Sequence, residues 1–207
     1  MLSNQTNKVM YLIICATPLA SHLYRLIEIA QSASWDVCII LTPQAVKFVD
    51  CKLLEEKTGH PVRSDYKQPT QEDILPKADA ILVCPATFNT LNKWALGIAD
   101  TLALSILCEA LGKRIPITAI AHMNTDLANH PIFSQHIALL QNAGVHVVPK
   151  SEVPSEGMSE YILNEFTKTG MRRKGTRQQA STQRPIQLLE MAKIAGKAFL
   201  KGFSTNS

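Results

Sequence analysis

Two short polar runs stand where apolar stretches end, and they carry side chains that can hold a small molecule. The first is Pro85-Ala86-Thr87-Phe88-Asn89-Thr90, followed by Gly97-Ile98-Ala99-Asp100. The second is Ala121-His122-Met123-Asn124-Thr125, with His130-Pro131 after it. An asparagine offers a carbonyl acceptor and an NH2 donor, so Asn89 and Asn124 can hydrogen-bond a flat heterocycle or a carboxylate without changing charge. His122 adds the side chain best suited to moving a proton near neutral pH. Thr17 and Thr42 each follow a further apolar run, and a hydroxyl beside the free N–H groups of a helix start favours an anion. Ordinary roles compete at each position: a threonine before a helix usually caps it, Asn89 suits a turn, and Asp100 can cap the helix after it.

The elements that must position these residues alternate. Apolar runs over 9–15, 35–41, 80–84, 115–121 and 145–148 read as strands, and 80–84 has the composition of one buried on both faces. Helical spacing begins at Pro18, with Leu19, Leu23, Leu26, Ile27 and Ala30 on one face. It returns over 45–58 before Gly59, from Phe88 to Ile98, over 102–111, and over 132–142 before Gly144. Strands alternating with helices predict an α/β fold, a Rossmann-like three-layer sandwich with a mainly parallel sheet and a flavodoxin-like strand order. Such sheets bind ligands beyond the carboxyl ends of their strands, where Thr17, Thr42, Asn89, His122 and Asn124 stand. A short strand is expected over 61–64. The stretch 151–185 reads as a mobile loop or substrate flap with one short helix over 159–167, and 186–203 as a C-terminal helix, all within a single domain of residues 1–207.

Composition narrows the function classes. The chain has 207 residues, 46% hydrophobic and 18% charged, enough for one substantial core and too apolar for disorder. Its longest apolar runs are too short to span a bilayer and its start lacks a signal-peptide layout, so a cytoplasmic protein away from membranes is expected. Five cysteines without C-x-x-C spacing and scattered histidines argue for reduced thiols and no metal site. Much of the net charge of +4 comes from Arg172, Arg173, Lys174, Arg177 and Arg184, in a stretch free of acidic residues from Met171 to Gln187. That basic stretch lacks interleaved aromatics, which argues against nucleic acid and leaves a solvated loop or a flap over an anionic substrate. A dinucleotide site is disfavoured because no G-x-G-x-x-G follows the first strand.

The run PATFNT with GIAD after it resembles the PASANT segment and following G-[IL]-[AC]-D of the homo-oligomeric flavin-containing cysteine decarboxylases. That family includes phosphopantothenoylcysteine decarboxylase and the lantibiotic peptidyl-cysteine decarboxylases. The run AHMNT resembles the same family's P-A-M-N-x-x-M-W segment, so the likeness covers roughly residues 8 to 149. It implies FMN as cofactor, a thiol substrate of cysteine type carrying a carboxylate, and assembly as a homotrimer or dodecamer with FMN at subunit contacts. Thr42 then corresponds to the family's phosphate-side serine or threonine, and Thr17 stands in its glycine-serine turn. Pro85, Ala86, Thr87, Asn89, Thr90, Ala99 and Asp100 fall at contacts near the flavin, with Asn89 an active-site residue. Met123 and Asn124 fall where the substrate is held, Asn124 supplying the amide for its carboxylate.

The chain also departs from that pattern. The family histidine that precedes the PASANT strand has no counterpart in Thr70-Gln71-Glu72-Asp73, and no cysteine follows Cys108 to match the one in the family's late flap. His122 stands where alanine is usual, Leu127-Ala128 where methionine and tryptophan are common, and Phe88 where a small residue is common. Three functions therefore remain open: an oxidative decarboxylase using Asn89, His122 and Asn124; an FMN-dependent oxidoreductase on another small substrate, with His122 or His130 supplying a proton; and a flavin-binding subunit without turnover.

Overall fold

A computed structural model describes residues 7–68 and 75–175. Five strands, β1 (Lys8–Ile14), β2 (Trp35–Leu41), β3 (Ala80–Ala86), β4 (Ile117–Ala121) and β5 (His146–Val148), form one sheet in the order β2-β1-β3-β4-β5. Every pairing is parallel, the flavodoxin-like order expected from the sequence. The helices of the described residues are α1 (Tyr24–Ser32), α2 (Cys51–Thr58), α3 (Phe88–Ala95), α4 (Leu102–Gly112), α5 (Thr125–Ala128), α6 (Phe133–Asn142) and α7 (Met158–Gly175). None of them is long and apolar enough to cross a membrane. The chain divides into two compact units, Met1–Gly170 and Met171–Ser207.

Alternation along the strands builds the three layers. Val9, Ile13 and Cys15 face one side of β1, with Leu91 and Trp94 of α3, Leu104 and Leu107 of α4, and Leu140 of α6. Met10, Leu12 and Ile14 face the other, with Leu26 and Ile27 of α1, Leu54 of α2, and Ile162, Leu163 and Phe166 of α7. Each such side chain withdrawn from water contributes about 1.5–3 kcal/mol, which is why near-continuous apolar strands sit between two helical layers.

Several expected boundaries change. The strand expected to stop before Pro85 continues to Ala86, although proline lacks an N–H for a central strand. The β3–β4 register shifts between Val83 and Ala86, and this irregularity accommodates Pro85, whose preceding peptide bond is cis. The strand expected over 61–64 is a single parallel bridge at Arg63 on the edge of β2, and α3 ends at Ala95 rather than reaching Ile98. The helix expected over 159–167 runs from Met158 to Gly175. Thr167, Thr169 and Gly170 weaken its helical propensity, but tertiary contacts hold it: Thr118 donates to Thr169 Oγ1 at 2.9 Å, His146 meets Glu165 at 2.8 Å, and Phe166 packs edge-on against Trp35. The rest of the expected flap beyond 175, and the helix over 186–203, lie outside the described residues.

Candidate functional site

The chain leaves β1 toward the α1 layer and leaves β3 toward the α3 layer, so the two exits diverge between neighbouring strands. This is the switch point at which parallel sheets open a crevice. A cleft of about 890 Å3 lies there. It runs along the carboxyl edge of the sheet in strand order, from Thr42 after β2, through Thr17 after β1 and Thr87–Thr90 after β3, to His122–Asn124 after β4 and Lys150 after β5. Residues distant in sequence are thus lined up by one sheet edge.

Thr17 is 7% exposed, and its hydroxyl has no hydrogen-bond partner among the described residues. Its carbonyl accepts from Ala20 N–H at 3.0 Å and closes a 3-10 turn, but its side chain makes no cap bond, so the capping role is overturned. Thr42 does not cap either: its backbone bridges Ile14 and Ala45, while Asp50 caps α2 by accepting from Leu53 N–H at 3.2 Å. Both residues line the cleft.

The β3–α3 junction is braced from within. Cys15 donates to Thr90 Oγ1 at 3.3 Å, and the Thr87 and Thr90 hydroxyls meet at 3.0 Å. Burial pushes the Cys15 thiol above its ordinary pKa, so it serves as a neutral donor. Cys15 N–H donates to the Pro85 carbonyl at 3.2 Å and His122 N–H to the Ala86 carbonyl at 2.9 Å, which pins both neighbouring loops to β3. Pro85 and Ala86 are buried in that frame, while Asn89 is exposed within the cleft. Phe88 lines the cleft and packs on Phe133 and His130, with ring centroids 5.5 Å and 5.7 Å away.

On the β4 side, Asn124 caps α5 by accepting from Leu127 N–H through Oδ1 at 2.9 Å. That bond commits the carbonyl end, so the NH2 group is the end offered to a ligand, and a donor suits a carboxylate. His122 and Met123 stand beside it, half-buried. Burial, reinforced by the positive charge of Lys150, holds the His122 imidazole below its ordinary pKa, so it is neutral at pH 7 and able to accept a proton. His130 does not line the cleft; its Nδ1 accepts from Ile132 N–H at 3.3 Å.

Ala99 and Asp100 also stand outside the cleft of their own chain, and both are exposed. Asp100 pairs with Lys93, and the cap expected of it is made by Thr101, which accepts from Leu104 N–H at 3.3 Å. The preceding glycine has a structural role. Ile98 N–H bonds the Lys93 carbonyl and Gly97 N–H the Trp94 carbonyl, with Gly97 at φ 72°, the left-handed turn that ends α3. Lys93 and Lys150 line the cleft but were not singled out in the sequence. The signal for Lys150 was its position just past the last apolar run, equivalent to that of Thr42 after β2.

A family profile described as Flavoprotein matches residues 1–175. The chain belongs to the Flavoprotein family. It is 30% identical over 126 residues to a probable phosphopantothenoylcysteine decarboxylase of Streptococcus mutans, covering 58% of this chain and 70% of that protein. A coenzyme A biosynthesis bifunctional protein of Thermococcus kodakarensis is 31% identical over 118 residues, 55% of this chain but only 29% of that protein. The chain thus spans under a third of such bifunctional relatives. The epidermin biosynthesis protein EpiD from Staphylococcus aureus superposes with a TM-score of 0.60 at 26% identity, covering 68% of this chain and 82% of that one. The residues of the cleft suit a flavin: its volume is that of a small-molecule site, Met123, Leu104 and Leu127 offer apolar surface for a flat ring, and Thr17 brings a buried hydroxyl lacking a protein partner.

Proposed function

We propose that this protein binds FMN and decarboxylates a cysteine-type thiol that carries a free carboxylate. The observation that carries the reading is the meeting, in one cleft, of the Asn89 and Asn124 motifs with the unpaired Thr17 hydroxyl. Thr17 and Thr42 would hold the phosphate. The Pro85-Ala86 backbone, Thr87, Asn89 and Thr90 would border the ring, with Thr87 and Thr90 acting through the brace they form with Cys15. Bound FMN would supply a two-electron acceptor for oxidation of the thiol to a thioaldehyde, from which carbon dioxide departs easily. Asn124 would donate through its NH2 group to the substrate carboxylate beside Met123. His122, neutral at pH 7, would take the thiol proton in place of the histidine missing from Thr70–Asp73.

The resemblance also implies a homotrimer or dodecamer with FMN at subunit contacts. The exposed Leu96 and Ile98, 60% and 41% accessible, together with Ala99 and Asp100, suit such a contact, through which Ala99 and Asp100 would reach a flavin. Five unpaired cysteines suit the reducing cytoplasm.

The test is anaerobic. Purified protein should be yellow with bound FMN, and addition of a peptide ending in cysteine, or of phosphopantothenoylcysteine, should bleach the flavin and release carbon dioxide. Failure to bind added FMN would refute the whole reading. Stable FMN binding without bleaching by either substrate would favour the other two readings, an FMN-dependent oxidoreductase on another small substrate or a flavin-binding subunit without turnover.

A further inference from the structure

The cleft has cations at its margin, and their positions differ. Lys93 is paired with Asp100, whereas Lys150 forms no ion pair among the described residues. Lys150 opens the turn that follows β5 and lines the same cleft as His122 and Asn124 of the neighbouring strand end. The unpaired hydroxyl of Thr17, with Thr42 beyond it, lies toward the opposite margin. The strand order puts β2 and β5 at the two edges of the sheet, four strand spacings or ~19 Å apart. An anion held between Thr17 and Thr42 is therefore far from Lys150, which leaves that lysine's charge available to a different anionic group.

Resting on the function proposed above, we propose that Lys150 is a specificity residue that binds the free carboxylate of the substrate, together with the NH2 group of Asn124. The cleft then selects thiols whose carboxylate is unblocked and rejects the corresponding amides. Three features of the site agree. Asn124 presents a donor because Leu127 N–H occupies its Oδ1. Lys150, although exposed, lies close enough to the β4 end for its charge to act on His122. The carboxylate would neutralise a charge that is otherwise unpaired among the described residues. Its arrival would also relieve the repulsion Lys150 exerts on a protonated His122, so that substrate binding strengthens His122 as a proton acceptor.

The experiment uses N-acetyl-L-serine and N-acetyl-L-serinamide, which carry a hydroxyl in place of the thiol and so cannot be oxidised by the same route. Their affinities for the FMN-loaded protein are measured by calorimetry, and FMN affinity by fluorescence titration, for the parent, Lys150→Met and Lys150→Arg. The parent should bind the acid at least about 10-fold more tightly than the amide. Lys150→Met should bring the acid down to the affinity of the amide while FMN affinity stays within twofold, and Lys150→Arg should keep most of the preference. Lys150 is exposed, so neither change is expected to disturb folding. A parent with no preference for the acid, or a Lys150→Met variant that keeps it, overturns the proposal. So does a Lys150→Met variant whose FMN affinity falls about 10-fold, which would give the lysine to the phosphate. A protein that takes up no FMN refutes the proposed function instead, and the acid-against-amide comparison on the flavin-free protein still decides the role of Lys150.

Discussion

Replacing Thr17 by valine keeps the shape of the side chain and removes one hydroxyl, the one the fold buries without a partner. Two effects of opposite sign follow. In the protein without flavin, the change relieves the desolvation of an unsatisfied buried hydroxyl, a cost of about 1–3 kcal/mol. For a chain of this size each kcal/mol is about 2–4 °C in Tm, so the flavin-free variant should melt no lower than the parent and by as much as several degrees higher. With FMN that advantage shrinks or reverses. A hydrogen bond to a charged group contributes about 1.5–3 kcal/mol, so losing one to the phosphate weakens FMN binding by about 10- to 100-fold. At an FMN concentration 100 times the parent Kd, the ligand stabilises the parent by about 2.7 kcal/mol, and a 30-fold weaker variant by about 0.9 kcal/mol. Thermal melts of both proteins with and without FMN, beside a fluorescence titration, measure all of these quantities. A variant that is less stable without flavin, or that binds FMN within twofold of the parent, refutes the assignment of Thr17.

Three further outcomes are expected. Lys150→Met removes a positive charge from beside His122 and should raise the pKa of that imidazole, read by NMR titration; an unchanged pKa would show that the two are not coupled. Because folded His122 takes up a proton at lower pH than the unfolded chain does, it costs stability as pH falls from ~6.5 toward its depressed value, and His122→Asn should flatten that part of the stability curve. Asn124→Asp keeps an oxygen for Leu127 N–H and hence the cap of α5, but presents a like charge to a carboxylate, so it should lose N-acetyl-L-serine binding with little change in Tm, whereas Asn124→Ala should lower both. Thr169→Val strands the buried Thr118 hydroxyl and should cost about 1–3 kcal/mol in denaturant unfolding, with much of it recovered in the Thr118→Val, Thr169→Val double variant.

The layers and the location of the cleft were legible in the sequence for a local reason. Apolar runs of strand length alternated with helical spacing, and that alternation dictates a parallel sheet with its polar loops on one edge. The motif residues Thr87, Asn89, His122 and Asn124 were legible too, because each follows a strand directly. What escaped was set by partners distant in the chain. Nothing near Thr167 and Thr169 announces that α7 continues, since its stability comes from Thr118, His146 and Trp35 on the sheet. Asp100 looked like a helix cap until Lys93, seven residues back across Gly97, took its carboxylate. Thr17 and Thr42 looked as fit to cap helices as to meet a ligand, and only the folded chain leaves the Thr17 hydroxyl buried and unpaired.

By itself, then, the sequence determined the elements, their parallel arrangement and the family, because periodicity and short motifs are carried by neighbours along the chain. Tertiary structure alone decided which polar groups converge. The spatial order β2-β1-β3-β4-β5 ranks Thr42, Thr17, Asn89, Asn124 and Lys150 along one edge although their order in the chain is different, and it sets the two margins of the cleft ~19 Å apart. That separation is a property of hydrogen-bonded strand spacing, and it is what keeps Thr17 and Thr42 apart from Lys150 within one cleft.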